Sequence, residues 1–320
     1  MSTIAIGYEP GALSEGHLAS IHRLAPDMEI LVTEDRAEIQ AALDEIEIAA
    51  RRFPHDLVLK ASGLRWFQQW GAGADWLLRY PQVADLDLVV TNASGVHAIP
   101  ISEHILAFLL AFARGLHSAV RAQEHRTWTR GVGEDVFELA GKTMVLVGVG
   151  AIGGRTAEIA TALGVEVFGV RRHPAADAPS VAAMYGPDRL LDLLPRADFV
   201  VLTVPLTPET RNMIGERELR EMKRTAYLVN IGRGGTIEQR ALIQALQQGW
   251  IAGAGLDVFE TEPLPESSPL WQMPNVIITS HYAGRTPHYE ERAMAIFVEN
   301  LERYRAGKPL RNVVDPVLAY

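Results

Sequence analysis

Arg233, Glu262 and His281 are the residues of this chain whose types suit chemistry on a small carboxylic acid. An imidazole can donate a proton near neutral pH, and a carboxylate beside it can hold the ring and favour its charged form. A guanidinium can bind a carboxylate through two parallel hydrogen bonds. Each residue follows a short apolar run patterned as a buried strand: 225–230 before Arg233, 252–258 before Glu262 and 276–280 before His281. The carboxyl ends of parallel strands are where an open α/β sheet places its ligand crevice. Arg233 sits in Ile231-Gly232-Arg233-Gly234-Gly235, whose glycines are expected to let the backbone come close to a bound molecule. Singly, an arginine in a glycine turn, a surface glutamate and a capping histidine are ordinary. At successive strand ends beside a nucleotide site, they read together as a carboxylate clamp, a proton donor and its partner.

The nucleotide site is read from residues 142–174, KTMVLVGVGAIGGRTAEIATALGVEVFGVRRHP. A β-branched apolar run, 143–147, leads directly into Gly148, Gly150 and Gly153, spaced G-x-G-x-x-G. A helix is expected to open at Ala151 and Ile152 and to stop at Gly164, with a second strand over 165–170. Between a strand and a helix, the first glycine permits the turn and the second lets backbone N–H groups approach a pyrophosphate. The third allows close helix–strand packing, and the helix N-terminus favours the negative charge. An NAD site wants an acidic residue about 20 positions further on to accept bonds from the ribose hydroxyl. Here Arg171 and Arg172 stand at the end of that strand. Guanidiniums would bind a 2′-phosphate that a carboxylate would repel, which argues for NADP(H) over NAD(H). The plainer alternatives are a bare βαβ turn and a solvated basic turn.

These residues need a scaffold, and the chain has length for two domains, with 320 residues, 48% hydrophobic and 22% charged. A net charge of −9 and a pI near 5.6 argue against a nucleic-acid or anionic-membrane surface. The absence of cysteine excludes disulfides, thiolate ligands and thiol nucleophiles, and fits a reducing compartment. The N-terminus, MSTIAIGYEP, has no basic region followed by an apolar stretch, so a cytoplasmic protein without a signal peptide is expected. The longest apolar run, 105–113, is too short to span a bilayer. His97 and His104 lie near a helix start and could share a face. Without cysteines or clustered carboxylates no metal site is expected, and both histidines read as bland.

Strands are expected over 3–6, 28–32, 46–49 and 86–90, while 65–70 (RWFQQW) mixes aromatic and polar residues. Pro100 opens a long helix, 101–126, whose apolar centre ILAFLLAFA should be buried on every side as core or as a subunit interface. Six strands follow, over 143–147, 165–170, 198–203, 225–230, 252–258 and 276–280. Helices are expected over 190–195, 207–212, 216–222 and 239–248, and a last helix over 287–305 returns to the first domain. The fold class is therefore α/β, built on doubly wound parallel sheets. A discontinuous domain of 1–99 plus 287–320 would take the substrate. A second, 100–286, would bind the dinucleotide and carry 101–126 as its dimerisation helix.

Residues 103–281 resemble the D-isomer-specific 2-hydroxyacid dehydrogenases through GVGAIGG, VPLTPETRNMIG, NIGRGGTIEQRAL, GAGLDVFETEPLP and SHYAG. The N-terminal third matches more loosely, through GAGAD and NASGVHAIPISEH. The resemblance implies two Rossmann-like domains around a cleft, in a dimer whose arm includes 105–113 and 125–128, and whether Trp128 reaches the partner's cleft is left open. It implies that Arg233 orients the substrate carboxylate and polarises the carbonyl. His281 would protonate the carbonyl oxygen as hydride arrives, with Glu262 as its partner. Asp257 would bind the nicotinamide carboxamide, beside the backbone of Ala283 and Gly284. Val204, Pro205, Thr210 and Ile231 would line the cofactor, and the backbone of Ala72 and Gly73 would receive the substrate carboxylate. Ser280 stands where the family usually has proline. Arg171 replaces the usual acid, as in the family's NADP-using glyoxylate/hydroxypyruvate reductases, and Glu262 stands where formate dehydrogenases carry glutamine.

The expected activity is hydride transfer from NADPH to a small 2-keto acid of the glyoxylate or hydroxypyruvate type, giving a D-2-hydroxy acid. The alternatives are another acid such as phosphoglycerate or phosphite, or a dinucleotide-sensing co-repressor-like scaffold. Serine-pathway members often carry an extra regulatory domain, and none is expected here.

Overall fold

The computed structural model describes residues 2–128, 136–175 and 178–318. The chain divides into two compact units, Met1–Val96 with Thr286–Tyr320, and His97–Arg285. The break lies ahead of Pro100 because the helix there already begins at Ala98, with the proline in its first turn, where no backbone N–H is needed.

In the first unit, β1 (Thr3–Gly7), β2 (Glu29–Val32), β3 (Ile46–Arg51), β4 (Trp66–Gln68) and β5 (Val89–Thr91) form a parallel sheet in the order β2-β1-β3-β4-β5. Helices α1 (Glu15–Leu24), α2 (Arg36–Ala41) and α3 (His55–Val58) connect the strands. The aromatic-polar run that sequence left unassigned contains β4, paired between β3 and β5. Its buried polar atoms are satisfied: Gln68 Oε1 accepts from Thr91 Oγ1 at 2.8 Å and from Asn300 Nδ2 at 3.1 Å, and Trp66 Nε1 donates to Thr91 Oγ1 at 2.7 Å. The strand expected over 86–90 shrinks to β5, because Pro81–Asp85 forms a short 3₁₀ turn just before it.

The second unit begins with α4 (Ala98–Ala113) and α5 (Leu116–Glu124). The single helix expected over 101–126 is thus two, bent by 72°, with Gly115 between them at φ 64°. Nor is α4 buried on every side. Ile105, Leu109 and Phe112 pack into the core, whereas Ile99 and Leu110 are 43% and 40% exposed. Among the described residues no single helix is long and apolar enough to cross a membrane.

The sheet of this unit contains β6 (Thr143–Val147), β7 (Glu166–Val170), β8 (Ala183–Tyr185), β9 (Phe199–Leu202), β10 (Tyr227–Asn230), β11 (Gly253–Leu256) and β12 (Val276–Ile278). All its pairs are parallel, in the order β12-β11-β10-β9-β6-β7-β8. Seven strands replace the expected six. The addition, β8, is a half-buried edge strand at the end of a short, alanine-containing apolar run, VAAMY at 181–185. Helices α6 (Ala151–Ala162), α7 (Leu190–Leu193), α8 (Glu216–Glu221) and α9 (Gln239–Gln248) link the strands, and α4 packs on α6. Residues 207–212 form turns rather than a helix. Thr207 N donates to Thr210 Oγ1 at 2.8 Å, and Thr210 Oγ1 donates to Pro205 O at 2.7 Å, an arrangement that competes with helical bonding. The last helix, α10 (Tyr289–Arg305), lies in the first unit against α1, with Phe297 and Leu301 fully buried.

Candidate active site

Strand order in the second unit reverses between β6 and β9, and ligands of such sheets bind outside the carboxyl ends at that point. Gly148 leaves β6 at φ 98°, and a side chain there would lie 2.7 Å from Thr203 Oγ1. A Cβ on Gly153 would lie 2.1 Å from Gly148 O, so this glycine brings α6 against its strand. Gly150 differs: a Cβ there would meet nothing within 4 Å. Gly150 is also the N-cap of α6 and makes no side-chain cap. The positive end of α6 therefore begins beside open space, which suits a pyrophosphate.

Arg171 follows β7, and its guanidinium donates to Val149 O at 3.3 Å, which fixes it beside the glycine turn. Arg172 points elsewhere, its NH2 3.7 Å from Glu209 Oε2. This arginine lowers the Glu209 pKa, after the larger effect of bonds from the Thr207 hydroxyl and the backbone. Val204 follows β9 and is crowded from two sides. A Cβ on Gly148 would come within 2.9 Å of its Cγ1, and one on Gly232 within 2.6 Å of its carbonyl oxygen. Thr210 directs its hydroxyl inward to Pro205 O, closing the turn that carries Val204 and Pro205. The Ile231 side chain is buried in the core, so only its backbone can face a ligand.

Arg233, Glu262 and His281 follow β10, β11 and β12, which are neighbours in the sheet. Their turns are linked in sequence. Phe259 N donates to Glu262 Oε1 at 2.9 Å, and Glu262 Oε2 lies 2.7 Å from His281 Nδ1. The Arg233 turn joins them because Gly234 packs on the Phe259 backbone, where a Cβ would come within 1.8 Å of the carbonyl carbon. On the side where a Cβ would stand, the glycines around Arg233 are packed against protein. Gly232 meets Val204 O, Gly234 meets Phe259, and Gly235 meets the Leu206 side chain at 3.1 Å.

With Nδ1 donating to the carboxylate, His281 turns Nε2 outward, on a side chain that is 53% exposed. Its backbone is left-handed, φ 52°, a conformation that costs about 1–3 kcal/mol for a non-glycine residue and persists only where surroundings impose it. Those surroundings centre on Asp257, which is almost fully buried. Its carbonyl accepts from His281 N at 2.8 Å, and its carboxylate accepts from Thr279 Oγ1, Tyr282 N and Ala283 N at 2.6, 3.0 and 3.1 Å.

Several participants escaped the reading from sequence. Asn230 and Thr236, both fully buried, clamp the Arg233 carbonyl at 3.0 and 2.7 Å, and Asn230 also accepts from Gly232 N. A polar residue ending an otherwise apolar strand was the available signal for Asn230. The two histidines set aside as bland both face the His281 loop. His104 Nε2 lies 3.0 Å from Thr279 Oγ1, and the His97 ring occupies the space that a side chain on Gly284 would fill. Among the described residues no three His, Asp or Glu side chains gather to hold a metal ion. In the first unit, the carbonyls of Ala72 and Gly73 accept from Asn92 Nδ2 and Gln69 Nε2, which fixes that loop from within.

Residues 106–283 match the family model for the D-isomer specific 2-hydroxyacid dehydrogenase, NAD binding domain. The chain is 38% identical over 264 residues to a glyoxylate reductase of Korarchaeum cryptofilum, covering 80% of this chain and 77% of that one. Among solved structures, a D-isomer specific 2-hydroxyacid dehydrogenase of Xanthobacter autotrophicus, in complex with NADPH and MES, superposes with TM-score 0.84 at 29% identity, covering 100% of both chains. An NADPH-dependent glyoxylate/hydroxypyruvate reductase of Sinorhizobium meliloti, in complex with NADP and sulfate, gives 0.83 at 27% identity, again covering 100% of both. A match spanning more than half of the chain, with a relative this similar over most of its length, establishes that the chain belongs to the D-isomer-specific 2-hydroxyacid dehydrogenases, oxidoreductases that use a nicotinamide dinucleotide.

Proposed function

We propose that this dehydrogenase reduces small 2-keto acids of the glyoxylate or hydroxypyruvate type to D-2-hydroxy acids, with NADPH as the preferred reductant. The observation that carries the reading is the His281–Glu262 pair, which leaves an outward imidazole Nε2 in a loop joined to the Arg233 turn. The reduced cofactor, with its pyrophosphate at the glycine turn, would supply hydride from its nicotinamide. Arg233 binds the substrate carboxylate. His281 gives its Nε2 proton to the carbonyl oxygen, while Glu262 holds the ring and balances its charge. Asp257, Gly284, Val204, Pro205, Thr210 and the Ile231 backbone lie along the cofactor. The decisive experiment is a panel of 2-keto acids with NADPH and NADH, followed at the nicotinamide absorbance. His281→Gln should retain NADPH binding and lose about 10²–10⁴-fold in kcat, the usual contribution of a proton donor. Wild-type kcat in that variant, or no turnover of any keto acid by the native protein, would overturn the reading.

The preference for NADPH rests on Arg171 beside the glycine turn, with Arg172 second, because the latter is partly drawn to Glu209. The Xanthobacter and Sinorhizobium relatives were crystallised with NADPH and NADP, which accords with it. Bonds to charged groups contribute about 1.5–3 kcal/mol, so the preference should be on the order of 10–10³-fold and should fall with ionic strength. Arg171→Asp should reverse it, and equal KM values for NADPH and NADH in the native protein would remove both arginines from cofactor choice.

We also assign the exposed apolar side chains of α4 and α5, Ile99, Leu110, Leu116 and Val120, together with Trp128 at 90% exposure, to the interface of a homodimer. Light scattering at micromolar concentration should return a dimer. The absence of cysteine accords with a cytoplasmic setting.

A further inference from the structure

We propose that His104 and Thr279 are positioning residues for His281, acting through the Asp257 carboxylate. This rests on the role of proton donor given to His281 above. Asp257 is bonded on both sides of the histidine: to the Thr279 hydroxyl before it, to the peptide N–H groups of Tyr282 and Ala283 after it, and through its own carbonyl to His281 N. These bonds hold the left-handed backbone that aims the imidazole. The Thr279 hydroxyl has one proton, and at 2.6 Å it goes to Asp257 Oδ1, which only accepts. The bond at 3.0 Å between His104 and Thr279 must therefore be donated by His104 Nε2–H, which sets the tautomer of that ring.

Burial lowers the His104 pKa, with the Asp257 charge opposing, so near neutral pH the ring is uncharged and has one N–H to give. The ring is held edge-on to Phe108 and Tyr282, at centroid distances of 4.7 and 5.5 Å. Phe108 in turn lies on Gly255, where a Cβ would come within 2.7 Å of its ring. Gly255 belongs to β11, the strand that runs into Asp257. Helix α4 is thereby seated directly on that strand, and the chain His104, Thr279, Asp257 ties it to the peptides flanking His281.

His104→Phe keeps the ring and removes the donor; Thr279→Val keeps the shape and removes the hydroxyl. Each should lower kcat at saturating NADPH about 10-fold, the lower end for a bond to a charged group, with the unfolding temperature lowered by only a few degrees. His104→Gln and Thr279→Ser, which restore a donor and a hydroxyl, should recover most of the loss. Adding Thr279→Val to His281→Gln should cost nothing more, because the relay acts only through the imidazole. Native kcat in either apolar variant, or an additive loss in the double variant, would overturn the proposal. Should the Phe variant not fold, a 10-fold loss in His104→Gln overturns it equally. Failure of His281→Gln to lower kcat would instead defeat the proposed function.

Discussion

Two glycine-rich turns of the second unit look alike in sequence and differ in what surrounds them. In the turn from Gly148 to Gly153, the outer glycines are crowded by protein, and the middle one, Gly150, opens onto space. In the turn from Gly232 to Gly235, all three glycines are crowded: by Val204 O, by the Phe259 backbone and by Leu206. The first turn is shaped to admit a ligand. The second is shaped to let three loops close on one another, with the Arg233 guanidinium donating to Gly232 O at 2.8 Å. A glycine therefore signals a close approach without saying to what.

That contrast can be broken by substitution. The largest effect should come from Gly234→Ala, whose Cβ would overlap the Phe259 carbonyl carbon at 1.8 Å. Backbone cannot yield as a side-chain tip does, so destabilisation should reach or exceed about 3 kcal/mol, the upper end of ordinary overpacking. At about 2–4 °C per kcal/mol, thermal unfolding would reveal it. A variant of native stability would show that the turn is looser than these contacts require. Gly150→Ala should behave oppositely. Its unfolding temperature without cofactor should match the native protein, while NADPH affinity should fall about 10-fold or more as the Cβ enters the space for the pyrophosphate. A loss of stability with affinity intact would erase the distinction between the turns. The smallest effect belongs to Gly154→Ala, inside α6 with nothing within 4 Å. It should gain about 0.5–1 kcal/mol by the lower chain entropy of alanine and leave cofactor affinity unchanged, which would confine the ligand space to Gly150.

Much of the architecture was legible because parallel strands buried on both faces must be continuous apolar runs, and β6, β9 and β10 are such runs. The elements that were misread carry that signal only weakly. β4 carries a glutamine whose partners, Thr91 and Asn300, are remote in the chain, and β8 is an edge strand that owes its place to pairing with β7. The break at Gly115 and the exposed side of α4 were likewise invisible, since an apolar run has no record of which neighbours cover it.

The amino-acid sequence by itself determined the α/β class, the glycine turn with Arg171 at the next strand end, and the three strand-end residues Arg233, Glu262 and His281. Each depends on local spacing, which sequence records. Only the tertiary structure decided which glycines are packed against protein and which open onto space, and that His97 and His104 sit beside the His281 loop. It also decided that a buried Asp257 braces that loop on both sides of the histidine. Those outcomes depend on groups far apart in the chain meeting at hydrogen-bonding distance, and their free energy arises from burial and partnership, which no single segment carries.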